Sequence, residues 1–314
     1  MKKLRFSAPF VLLSALLSTV GLGLLPACDV VENPVPPRAV ESAGRRDTLA
    51  LDSAEARWLA GPGHAAPRQR VLIEDYTGHV CGNCPRAAEK IRELQAQLGD
   101  TLVVVAAHVG YFADTVKAGY RYEFRTPAGE ELNRVFSIDN AGLPQGMIDR
   151  TPPTASASPV QALGAWPALV AVQAVQAPEQ QLILTALRAE SSSEPRLKIT
   201  TKYLVAQPGR TYRLVLNYVE DTLTRAQKDY ALPAPSDIPR YLHYHILRDA
   251  PLTTFGTLNA VAPVAGQSVA TYLRYPLPDK PWATRPAHLV AYLLDATDPE
   301  AKRWRVVQVV ETKL

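Results

Sequence analysis

Two of the chain's three cysteines, Cys81 and Cys84, stand three residues apart in the stretch VLIEDYTGHVCGNCPRAAEKI, residues 71–91. A strand-type apolar run leads into them and a helix-type pattern follows. A thiol at a helix N-terminus meets the positive end of the helix dipole and unpaired backbone N–H groups, and both favour thiolate over thiol. A second thiol three residues later lies one turn further along, where it can close a small disulfide ring once the first has attacked a substrate. On this reading Cys81 attacks and Cys84 resolves. Pro85 cannot donate a backbone hydrogen bond and restricts Cys84 before it. The same spacing also suits a fixed bridge on a scaffold that binds rather than reacts, and spacing alone does not separate the two.

The other reactive side chains form weaker patterns. His79 completes His-x-Cys-x-x-Cys, but one cysteine pair plus one histidine falls short of a closed zinc site, and no second pair exists. His243 and His245 lie two apart on an expected strand and so share a face, as a metal-holding pair or as cross-strand neighbours. His108 ends an apolar strand. There is no Ser-His-Asp elbow, no phosphate loop and no carboxylate pair of defined role. The expectation is no metal and no cofactor.

The N-terminus explains the third cysteine. MKKLRF is basic, APFVLLSALLSTVGLGL is apolar and uncharged, and LPAC follows, with small Ala27 before Cys28. This is the pattern of a secretory signal. Its end resembles a lipobox, in which the cysteine takes the lipid, although Pro26 departs from the usual small residue. An ordinary cleaved signal or an uncleaved anchor is the alternative, since the apolar run is near the lower length of a membrane span. With Cys28 lipidated, Cys81 and Cys84 remain as a pair in an oxidising compartment, and packing rather than a disulfide framework must hold the fold. Lys2, Lys3 and Arg5 leave with the signal, so the net charge falls from +4 to +1. No basic run with interleaved aromatics follows, which argues against a nucleic-acid partner.

The elements that must position the pair are legible as patterns. Residues 1–27 read as the signal and residues 28–69 as a tether rich in Pro, Gly, Ala and charge. Residues 70–177 alternate between strand and helix: RVLIEDY, then PRAAEKIRELQAQLGD, TLVVVAAHVG, a helix with Thr126 as N-cap and Pro127 at its first position, and GLPQGMIDR as a turn into a strand. That order predicts an α/β unit with parallel pairing. GAWPALVAVQAVQA reads as a closing helix. In residues 178–314 the period switches to two, with short strands at turn-marked spacing, which predicts an antiparallel β-sandwich. The chain beyond the signal is long enough for two domains.

Residues 70–177 resemble the thioredoxin fold on three features: strand–Cys-x-x-Cys–helix, an acidic residue six before the first cysteine (Asp75, with Glu74 a rival), and GLPQGMIDR, which is similar to the cis-proline turn that faces the active site. Pro144 would be that proline and Leu143 the residue before it. Gly82-Asn83 replaces the usual Gly-Pro and no Trp precedes Cys81, which leaves the redox potential open. EDYTGHVCGNCP, GLPQGMIDR, YHILRD and VVQVVE together resemble the Omp-twenty-eight-related family of bacterial outer-membrane lipoproteins. The resemblance implies an outer-membrane lipoprotein with a thioredoxin-like domain followed by an immunoglobulin-like sandwich. The expected function is thiol–disulfide exchange with protein thiols or disulfides of the cell envelope, through Cys81, Cys84, Asp75 and Pro144, on a chain held to the membrane through Cys28. The alternative is a non-catalytic interaction lipoprotein whose Cys81–Cys84 bridge is structural.

Overall fold

The computed structural model describes residues 68–155, 157–189, 196–204, 209–258, 268–298 and 305–314. The signal, the tether and Cys28 lie outside them. The fold is mixed α/β, with a large sheet and few helices. Strand β1 (Val71–Thr77) leads to helix α1 (Cys84–Leu98), β2 (Leu102–His108), α2 (Pro127–Phe136), β3 (Gln145–Ile148), the two-residue β4 (Gln161–Ala162) and α3 (Trp166–Ala174). Strands only follow: β5 (Leu182–Ala189), β6 (Arg196–Leu204), β7 (Tyr212–Lys228), β8 (Asp237–Asp249), β9 (Thr257–Leu258), β10 (Ser268–Pro276), β11 (Ala287–Asp295) and β12 (Val306–Lys313).

The helix signals act as the sequence suggests. Thr126 caps α2, its hydroxyl accepting from Gly129 N at 3.0 Å, with Pro127 next. Helix α1 has no side-chain cap at Asn83 and ends at Gly99, whose φ is +57°.

One sheet carries both halves of the chain. Its order is β12-β11-β7-β8-β2-β1-β3-β4, with β9 on β7, while β10-β6-β5 form a second sheet. Strands β1 and β2 are parallel over their whole length. The expectation of parallel pairing fails at β3, which runs antiparallel to β1 with Asp75 opposite Gly146. The α/β pattern of residues 70–177 and the period-two pattern of residues 178–314 meet in hydrogen bonding, because β8 lies beside β2 at Ala106–Ile246. Nothing in either local pattern encodes that long-range edge contact.

Strand β1 is buried on both faces, so its alternation sorts side chains into two layers. Val71 and Ile73 face α1 and α3 with Ile91, Leu94, Trp166 and Val170. Leu72 and Tyr76 face α2 with Leu132 and Phe136. The small sheet packs on the large one, with Leu197, Ile199 and Tyr203 against Leu214, Leu216, Leu289 and Leu293. On the α2 layer, Arg150 grips the Glu74 carboxylate with two bonds of 2.7 Å, and both side chains are buried. Asp149 joins the same corner: its Oδ1 accepts from Leu72 N and its carbonyl from Val306 N, both at 2.8 Å, tying β1 to β12.

Candidate functional site

The site is built where β1 ends. Gly78 begins a tight loop in which Cys81 N donates to Gly78 O at 3.0 Å and Val80 N to Phe112 O at 3.0 Å. A Cβ on Gly78 would lie 2.1 Å from Phe112 O, so only glycine permits this approach. Cys84 is the first residue of α1, and it is disulfide-bonded to Cys81 across 5.5 Å between Cα atoms.

Alternation along β1 also separates Glu74 from Asp75. Glu74 belongs to Arg150 on the α2 side. Asp75 lies on the other side and lines, with Cys84, a cavity of about 170 Å³ between α1 and β8. Burial raises the Asp75 carboxyl to about 7. The Leu143–Pro144 peptide is cis, and Leu143 O stands 3.5 Å from Cys81 Sγ. Cys81, Cys84, Asp75 and Pro144 are thus gathered in one place.

What sequence reasoning missed lies above them. Cys81 is 1% exposed and Cys84 3%. Strands β7 and β8 extend as a long hairpin whose tip crosses the cysteine loop. Lys228 N donates to His79 O and Tyr230 N to Gly82 O, both at 2.8 Å. The register of β7 slips between Arg225 and Gln227, and such a bulge re-aims a side chain. The buried Gln227 carboxamide donates to Cys81 O at 2.9 Å and Gly78 O at 3.2 Å. The Tyr230 ring lies on Gly82, where a Cβ would come within 2.4 Å of it. On the far side Asp237 accepts from Tyr120 Oη at 2.6 Å and from Lys228 Nζ at 3.2 Å. The sequence signal for this cover was the DYALPAPS turn between two alternating runs, which marks a hairpin but not its target.

The histidines converge as well. His79 and His108 rings are 6.5 Å apart, His108 and His243 5.4 Å, and Phe124 stacks on His108 at 4.1 Å. His79 Nε2 donates to Asp114 O at 2.9 Å. Burial lowers all three, His243 to about 3 and His108 well below the usual imidazole range. His243 and His245 both line the cavity, and so does Tyr244 between them. Among the described residues, no three His, Cys, Asp or Glu side chains are gathered as metal ligands. None of the described helices is long and apolar enough to cross a membrane.

The profile of the outer membrane protein Omp28 family matches residues 132–314, more than half of the chain. The chain belongs to the Omp28 family. Its name points to the outer membrane. The matched span holds Pro144, Arg150 and the whole β7–β8 hairpin, whereas Cys81 and Cys84 precede it. No curated protein sequence matches significantly. Among solved structures the chain is similar to HBP35 of Porphyromonas gingivalis, at 15% identity and a TM-score of 0.57, over 80% of this chain and 77% of that one. An Agrobacterium tumefaciens protein aligns at 14% identity and a TM-score of 0.49, over 79% of this chain and 95% of that one. At such identity the likeness to HBP35 concerns the fold alone. The Omp28 assignment therefore covers the hairpin that overlies the cysteines rather than the cysteines themselves.

Proposed function

We propose that this Omp28-family protein is an envelope lipoprotein, anchored through Cys28, whose thioredoxin-like scaffold carries Cys81–Cys84 as a closed bridge. It works as a binding module for envelope proteins, with an immunoglobulin-like β-sandwich in residues 178–314, and not as a freely turning-over oxidoreductase. One observation carries the reading: both cysteines are buried beneath the β7–β8 hairpin, which main-chain and Gln227 bonds fasten to the loop that holds them. Exchange needs a nucleophile in line with the S–S bond, and access is one of its controls. A protein thiol cannot reach a sulfur covered in this way without displacing the hairpin.

A second reading, gated exchange, draws on the placement of Cys81 Sγ against Leu143 O beside Pro144 and on Asp75 near Cys84. Insulin reduction separates the two, together with trapping by Cys84→Ser in envelope extracts. The binding-module reading expects no catalysed insulin reduction and no mixed disulfide through Cys81. Catalysis and trapped partners would overturn it in favour of exchange.

A further inference from the structure

A buried polar row lies beneath the hairpin. Strand β8 meets β2 at Ala106–Ile246, and the residue before that contact, His245, has a left-handed φ of +55°. From there toward Asp237 the strand runs on to the tip over the cysteine loop. Under it the three imidazoles come from three separate places: His79 from the cysteine loop, His108 from the end of β2, and His243 from β8 itself. They surround Phe124, with ring centres 4.1–5.2 Å from it. Neither ring nitrogen of His108, nor His79 Nδ1 or His243 Nε2, has a hydrogen-bond partner among the described residues, and all four are sealed from solvent. A charged imidazole in that place would have no bonded acceptor among the described residues for its new proton.

We propose that this row is an acid-sensitive latch: mild acid drives protons onto His79, His108 and His243, which the closed hairpin cannot hold, so the tip lifts and uncovers the Cys81–Cys84 disulfide. The idea deepens the covered-bridge reading and rests on it.

The charged neighbours set the sign. Arg248 lies near both His108 and His243 and opposes their protonation in the closed form, as His79 does for both and His243 does for His108. On the loop side, Glu123 and Asp114 favour protonation of His79 while Arg125 opposes it, and burial outweighs them all. Tyr241, beside His243, stays neutral, since burial raises its hydroxyl. Asp237 is held below the usual carboxylate range by Tyr120, so its clamp persists in mild acid. A lowered imidazole favours the closed form above about 6.5 and releases that preference as pH falls. One imidazole freed on opening raises the open fraction about 30-fold between pH 7.5 and pH 5. Asp75 works the other way: its raised carboxyl favours the closed form in acid and loses that effect as pH rises through about 7. The imidazoles outnumber it.

The test is the rate at which a water-soluble phosphine reduces the full chain between pH 7.5 and pH 5, divided at each pH by the rate for the chain unfolded in denaturant. The latch predicts a rise of roughly tenfold or more toward pH 5, a steeper rise in Asp75→Asn, and a smaller rise in both His243→Phe and His108→Phe. A urea titration at pH 5 must show the fold intact; loss of the whole fold there would overturn the latch. A flat parental profile, or an unchanged rise in both histidine variants, would also overturn it and leave the cover standing. A ratio near one already at pH 7.5 would instead sink the covered-bridge reading.

Discussion

Replacing Gln227 by Ala should loosen the cover without touching either cysteine. The carboxamide donates to Cys81 O and Gly78 O, both in the loop beneath the hairpin. Each carbonyl keeps one main-chain partner, Cys84 N for Cys81 and Cys81 N for Gly78. The loss is therefore that of two ordinary buried hydrogen bonds rather than of two orphaned acceptors, about 1–3 kcal/mol in all. The third bond, to Lys228 O, lies within the hairpin and does not count toward its attachment. If reduction proceeds through a lifted hairpin, the open fraction rises by about 5- to 150-fold at 1.4 kcal/mol per tenfold. The assay is excess dithiothreitol at pH 7.5, with timed quenching by an alkylating agent and mass readout of labelled cysteines. A rate within twofold of the parent would refute the reasoning. So would an acceleration equal to the loss of global stability in urea, because reduction would then follow unfolding rather than hairpin opening.

Three further outcomes are expected. Gly82→Ala places a methyl against the Tyr230 ring, which is 58% exposed and free to swing aside, so disulfide reduction should speed up while the urea midpoint hardly moves. Arg150→Met leaves the buried Glu74 carboxylate uncompensated and should cost about 3–5 kcal/mol of stability, with Glu74→Gln/Arg150→Met recovering part of it. The raised carboxyl of Asp75 contributes stability that is full below about 4 and lost as pH rises through about 7. Asp75→Asn should therefore gain on the parent by about 2–4 kcal/mol at pH 8 and by little at pH 4, in urea titrations at the two values.

The sequence made the local elements plain where propensity, capping and periodicity agreed. Thr126-Pro127 started α2, Gly99 ended α1, and the apolar runs at residues 71–77 and 102–108 became neighbouring parallel strands. Cys81, Cys84, Asp75 and Pro144 could be named because each occupies a fixed offset in a short motif. Glu74 and Asp75 could not be told apart, since the choice depends on which layer each side of β1 faces, and Arg150 supplies that answer from another strand. The hairpin's reach was invisible for a related reason. Its alternation specifies a pair of strands, but the contacts of Lys228, Tyr230 and Gln227 with residues 78–82 join positions about 150 apart. The imidazole cluster is likewise a product of tertiary packing, with no spacing that announces it.

The central claim is that the folded chain shields its own disulfide. Its most direct test is the rate of Cys81–Cys84 reduction at pH 7.5 in the folded protein relative to the same chain in denaturant. Four hydrogen bonds from hairpin to loop, at about 0.5–1.5 kcal/mol each, place the folded rate at least about 30-fold lower. Folded and unfolded chains reduced at the same rate would contradict the account.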